Sequence, residues 1–290
     1  MARATGLIVL SSFAFGSLST LTVLTARSGM PLLPAMFWRY FIACILLLTV
    51  LRKRITRIDR NHAVRLVLVG GLGQALITYL SLRALDFLPV GPLAFLFYTY
   101  PAWVALHSAM TGREELTIAR FIALAIAMAG IAVMVGTPDE PLSRLGIFIA
   151  LGTAFLYSLY LPALNQVQRG INPALSSFYL ICGVLVAFLI GNIGAGSLRF
   201  PVTTELWAYV ILLSLFSTVI AFISLIAGLR VLGPVRTSII ATVEPFCTAL
   251  LGTVFLRESL TVSIIGGGVL IAAAVVILQL TAPQRVSAEA

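Results

Sequence analysis

Ten apolar runs follow one another along the chain, at residues 5–26, 34–51, 63–82, 90–110, 117–136, 145–165, 173–193, 205–229, 235–256 and 260–280, each bounded by charge, proline or glycine. A helix rises about 1.5 Å per residue, so roughly 20 apolar residues cross the ~30 Å hydrocarbon core of a bilayer. The pattern predicts ten transmembrane helices. Links of only a few residues, as at 257–259, require neighbouring helices to be antiparallel. The first run follows Arg3, but it is longer than the roughly 7–15 apolar residues of a signal-peptide core, so it is read as a span that stays.

The runs repeat. Leu85/Leu229, Leu88/Leu232, Pro101/Pro245, Leu106/Leu250, Arg113/Arg257, Glu114/Glu258, Leu116/Leu260 and Thr117/Thr261 share an offset of 144. Pro34/Pro173, Ala35/Ala174, Tyr40/Tyr179 and Ile42/Ile181 share 139, and Gly6/Gly146, Ala14/Ala154 and Phe15/Phe155 share 140. A duplicated five-helix unit is expected, residues 1–137 forming the first repeat and 138–280 the second, with 281–290 a disordered cytoplasmic tail. An odd number of spans per unit makes the second copy enter from the opposite side, an inverted repeat about an axis in the membrane plane. With the N-terminus inside, thirteen Lys and Arg residues fall on the cytoplasmic side and five outside. Both termini are therefore expected in the cytoplasm. The expected fold is all-α and integral to a bacterial inner (plasma) membrane, ten helices arranged as two inverted five-helix repeats.

Composition sharpens this picture by exclusion. Hydrophobic residues make up 60% of the chain and charged ones 10%, with mean hydropathy +1.08, against about 25% charged in a soluble domain. The net charge of +9 lies in loops and reads as topology, so no nucleic-acid partner is expected. Cys44, Cys182 and Cys247 sit inside apolar runs without metal-ligand spacing; they are read as packing residues, and neither metal nor cofactor is expected. There is no GxxxxGK[ST] motif for ATP hydrolysis, and an integral-membrane enzyme would need paired carboxylates, a His/Asp cluster or a serine with a base at helical spacing, where His62 and His107 are the only histidines. An enzyme is not expected.

Ionisable groups inside a span cost at least about 2.5 kcal/mol each, so each is a functional candidate. Arg39, early in the second run, can snorkel to lipid phosphate or bind a substrate carboxylate. Glu244, near the middle of the ninth run, precedes Pro245, which removes a backbone hydrogen bond and makes room for a polar group. It reads either as a buried acid tying helices together or as a site for a coupling proton or a substrate amine. Thr237, Glu244 and Thr248 share a helical face, as do Tyr100, Trp103 and His107 in the fourth run and Thr153, Tyr157 and Tyr160 in the sixth, while Tyr98 points elsewhere on its helix. Gln74, Thr78 and Tyr79 add hydroxyl and amide groups in the third run, and Ser12 lies within the first. Together, Ser12, Gln74, Thr78, Tyr79, Tyr98, Tyr100, Trp103, His107, Tyr157 and Glu244 are the expected substrate-binding residues, around an aromatic cavity with a few polar donors. Gly70, Gly71, Gly73, Gly146, Ala150, Ala154, Gly266, Gly267 and Gly268 are read as points of close helix approach.

The duplication, the proline in each fourth helix, Arg113-Glu114 and Arg257-Glu258 before each fifth helix, Arg39, and the Glu244-Pro245 pair resemble the EamA-type branch of the drug/metabolite transporter superfamily over essentially the whole chain. The resemblance implies a secondary transporter working by alternating access through a central cavity. Several substrate classes share that scaffold. The single intramembrane Arg39 argues against phosphorylated solutes, and Ser11-Ser12-Phe13 stands where small multidrug members carry an acid. A neutral or zwitterionic metabolite is left, and the aromatic interior is similar to YddG-type exporters of aromatic amino acids. Multidrug or purine export on the same fold, or a channel or membrane scaffold subunit, are the alternatives. The expected partners are a small-molecule substrate, the lipid bilayer and, as a candidate coupling ion, the proton, with the chain a monomer or homodimer. Glu114 and Glu258 are read as helix caps favoured by the positive end of the helix dipole.

Overall fold

Each apolar run becomes a helix. In a computed structural model of the chain, the described residues are 1–51, 58–84, 86–88, 90–112, 117–136, 141–257 and 259–280, and among them all regular structure is helical. The first, second, fifth, sixth, seventh and tenth spans are unbroken: Ala2–Arg27, Leu32–Leu51, Ile118–Val135, Arg144–Val167, Pro173–Ala195 and Val262–Leu280. The third, fourth, eighth and ninth are interrupted. The third runs Arg60–Arg65, then a π turn at Leu66–Leu72, then Gly73–Ala84; the eighth runs Thr204–Ser214, a π turn at Leu215–Ile220, and on through 221–232. The fourth divides into Val90–Phe97 and Tyr100–Met110, and the ninth into 234–241, Val243–Leu251 and a π turn at Gly252–Leu256.

Local chemistry explains these boundaries. Thr117, Ser143, Asn172, Thr203 and Thr261 each accept a backbone N–H of the turn that follows, which satisfies donors left open at a helix start. Glu114 and Glu258, expected to cap the fifth and tenth spans, lie outside the described residues, as do the basic cluster 52–57 and the tail 281–290; the cap acceptors seen there are Thr117 and Thr261. The eighth and ninth spans are joined by almost nothing. Gly233 alone leaves helical geometry, at φ 77° and ψ 170°, and Pro234 restarts the helix, since its fixed φ suits a first helical position.

The bundle is held by small residues where backbones cross. A Cβ on Gly71 would meet the backbone of Gly183, which brings the third and seventh spans together, and one on Gly267 would meet Gly130 across the fifth and tenth. The fifth and tenth spans pack along their length, as do the second and seventh, and the first packs against both the eighth and the ninth. Ile118, Phe121, Phe148, Val254, Val262 and Val269 remain exposed on the outer face. In water such a surface would aggregate; in a bilayer it is solvated by acyl chains. The chain is thus an all-α membrane protein.

Candidate functional site

The breaks in the fourth and ninth spans set the site. In the fourth, Tyr98 and Thr99 form a turn and the helix resumes at Tyr100-Pro101; in the ninth, Thr242 forms the turn and the helix resumes at Val243-Glu244-Pro245. Proline offers no N–H, so the carbonyls of Phe97 and Ala241, four residues earlier, lose their usual helical partner. The hydroxyls of Thr99 and Thr242 fold back onto the carbonyls of Leu96 and Ile239, each at 2.7 Å, and steady the turns. Glu244 therefore occupies the first turn of a half-helix, where the backbone dipole favours a negative charge.

Opposite this carboxyl stands a group of aromatic rings. The Tyr98 hydroxyl lies beside the Glu244 carboxyl, and Tyr100 and Tyr157 lie within electrostatic reach of the same group. Tyr100 and Tyr157 meet edge to face with centroids 4.6 Å apart, Phe97 lies 5.4 Å from Tyr100 and 5.5 Å from Tyr157, and Tyr160 stacks on Tyr157 at 5.7 Å. Tyr98 and Tyr100 are buried, while Tyr157 and Glu244 are half-buried. Among the described residues the one ion pair is Arg83–Asp86 on the surface, so Glu244 has no cation beside it. A partly buried carboxyl without a cation, rimmed by phenol rings, can hold a proton or accept an ammonium group, and ring faces favour cations in the same place.

The first span closes the other side. Ser11 donates to the Ala221 carbonyl and Ser17 pairs with Ser217, so the first and eighth spans run antiparallel, and the first runs parallel to the ninth. Gly16 lies against Cys247 and the Thr248 backbone, where a Cβ would come within 3.0 Å. One turn earlier, at the level of Glu244, Ser12 is buried with a hydroxyl that has no hydrogen-bond partner among the described residues. Thr237, two turns before Glu244, is in the same condition.

The structure therefore brings together Tyr98, Tyr100, Tyr157 and Glu244, with Ser12 at the same depth. It separates others. Tyr79 is 54% exposed and Trp103 37% exposed, Trp103 packing edge to face on Phe155 at the outer surface. Among the described residues neither makes a ring contact with the tyrosine group. Three helical residues subtend about 300°, so Trp103 sits some 60° from Tyr100, enough to carry it to the rim. Tyr98, expected to point elsewhere, faces the acid because the turn at Tyr98-Thr99 resets the helical phase. Gln74 donates to Thr78 at 3.4 Å, and His107 is half-buried one turn beyond Trp103.

Sequence reasoning missed two features. Arg39 does not reach outward to lipid: it is 1% exposed, donating from Nη2 to the Ser217 carbonyl and from Nε to the Thr218 hydroxyl, each at 2.6 Å, inside the eighth-span π turn. A π turn widens the hydrogen-bond ladder, and the displaced carbonyl takes a side-chain donor instead. Thr218 in turn donates to Leu213, five residues back, at 3.1 Å. The other feature is a sulfur contact: Cys44 and Cys182, on the second and seventh spans, bring their Sγ atoms to 3.7 Å. The signal was present, because their separation (182 − 44 = 138) is within one of the 139 that relates those two helices.

A helical bundle that spans the bilayer ten times, with broken helices meeting at an interior acid, defines a membrane transport protein. The chain matches the EamA-like transporter family twice, over residues 3–136 and 144–280, and belongs to that family. It is a multi-pass membrane transporter. A relative from Archaeoglobus fulgidus, described as an uncharacterized transporter, is 25% identical over 279 residues, covering 93% of this chain and 94% of its own. A solved crystal structure superposes with a TM-score of 0.81 over 97% of both chains at 19% identity, which shows the shared fold.

Proposed function

We propose that the protein exports small neutral or zwitterionic metabolites, amino acids with aromatic or hydrophobic side chains fitting best, by alternating access through a cavity between two inverted five-helix halves. The observation that carries the reading is the Glu244 carboxyl, with no cation beside it among the described residues, facing Tyr98, Tyr100 and Tyr157 where two helices break. The carboxyl receives the ammonium group of the solute. The rings flank its apolar body, and Ser12 offers a hydroxyl at the same depth. Breaks at the same sequence offset in the fourth and ninth spans supply paired hinges, so that closing one mouth accompanies opening the other. In this reading both termini lie in the cytoplasm of a bacterial inner membrane, and the solute moves down its own gradient or against a proton carried by Glu244.

Flux into and out of proteoliposomes tests it. Radiolabelled phenylalanine should show saturable counterflow, competed by other aromatic amino acids and not by purines. Flux that neither saturates nor shows counterflow would mean a pore, and the reading would fall. The same acid within a ring of phenols also suits an organic cation, so a second reading, multidrug export, is favoured if quaternary amines compete and amino acids do not. Proton coupling at Glu244 is excluded if Glu244→Gln transports normally with and without an imposed pH gradient.

A further inference from the structure

Away from the tyrosine group, at the end of the bundle where the eighth span turns into the ninth, a cavity of about 530 Å³ opens between that turn and the last turns of the fourth and sixth spans. Its wall includes Arg169 and Arg230, the amides of Asn165 and Gln166, the buried Ser108, and Pro234 at the start of the ninth span. Among the described residues no carboxylate belongs to that wall. Arg169 and Arg230 are both exposed and border one concave volume, so their like charges favour an anion there. Arg230 is oriented by one N–H, 2.7 Å from the Ile171 carbonyl, which leaves the rest of its planar fork for another acceptor. The Arg169 side chain is exposed and makes no hydrogen bond or ion pair among the described residues. The helix that starts at Pro234 adds the positive end of its dipole. A topological excess of positive charge accounts for arginines at this face. It does not account for two of them converging with amides and a hydroxyl on one concavity.

We propose that this cavity binds an oxyanion, the carboxylate of a solute or a phosphate group, between Arg169 and Arg230. Ser108 lies eight residues past Tyr100 on the same helix, about 12 Å at 1.5 Å per residue. The cavity and the tyrosine group are therefore successive stations rather than the two ends of one bound solute. The arginine reagent phenylglyoxal provides the test, applied to the full chain in phosphatidylcholine nanodiscs with and without sodium acetate or inorganic phosphate, and in parallel in phosphatidylglycerol nanodiscs. Modification of each arginine is followed by mass spectrometry, with Arg60 and Arg65 as controls. We expect Arg169 and Arg230 to be modified at least about threefold more slowly when the oxyanion is present. Protection by acetate or phosphate in phosphatidylcholine identifies a soluble oxyanion, and protection confined to phosphatidylglycerol identifies a lipid headgroup. Rates at Arg169 and Arg230 that acetate, phosphate and phosphatidylglycerol change no more than they change those of the two controls would overturn the proposal. Because no transport is measured, the result stands apart from the export reading.

Discussion

The third and eighth spans meet the same local difficulty with different chemistry. Each contains a π turn and each has one carbonyl of that turn sealed by a side chain from another span. In the third the donor is the neutral Tyr160 hydroxyl, 3.0 Å from Gly70; in the eighth it is the Arg39 guanidinium, 2.6 Å from Ser217. The breaks in the fourth and ninth spans diverge in the same direction. Tyr100 precedes Pro101 and Glu244 precedes Pro245 at one offset (244 − 100 = 144), so a phenol stands where its counterpart is an acid. Backbone irregularities are recurrent in the two halves because proline and helix register impose them, while the side chains that exploit them have separated. The irregular turns of the eighth and ninth spans are met by a guanidinium and an acid, and those of the third and fourth by phenols.

That contrast can be broken by substitution, most strongly at the acid. Glu244→Gln removes the charge from an ammonium contact worth about 1.5–3 kcal/mol, so flux should fall by roughly ten- to hundredfold. Tyr100→Phe keeps the ring and should lower flux less than about threefold; equal losses in the two variants would erase the functional difference between the positions. Arg39→Gln should lower stability by about 1.5–3 kcal/mol, seen as a reduced melting temperature in detergent, because a charged donor bridging a buried carbonyl and a hydroxyl is lost. Tyr160→Phe loses one neutral bond and should cost only about 0.5–1.5 kcal/mol in the same assay. If Tyr160→Phe proves the more damaging, the cationic seal is not the stronger one. The smallest effect is expected at the sulfur contact. Copper-phenanthroline should join Cys44 to Cys182, read as loss of maleimide labelling, with flux unchanged if the second and seventh spans stay fixed during transport; reduced flux would show that they slide.

Much of this architecture was legible because a bilayer imposes length. The run 90–110 predicted the fourth span to the residue, and Pro101 and Pro245 announced breaks that the structure places within three residues of each. Direction around a helix was harder to read. Where lipid and core are equally apolar, periodicity cannot say which face turns inward, so the 54% exposure of Tyr79 could not be read from the sequence. Tyr98 failed differently, because one turn of non-helical backbone shifts every residue around the axis. The π turns at Leu66–Leu72 and Leu215–Ile220 insert a residue without any compositional mark, so the burial of Arg39 within one of them had no sequence signal. Glu244 was legible as chemistry, since an acid before an intramembrane proline is conspicuous, but its phenol neighbours came from the tertiary fold.

The one-residue corner at Gly233 leaves no slack between the helix gripped by Arg39 and the helix 234–241 that leads to the Thr242 turn ahead of Glu244. A longer linker would let the two tilt independently. Here the two are tied at one corner, so a movement of Glu244 about the Thr242 turn starts from a helix already anchored to the one that the guanidinium clamps.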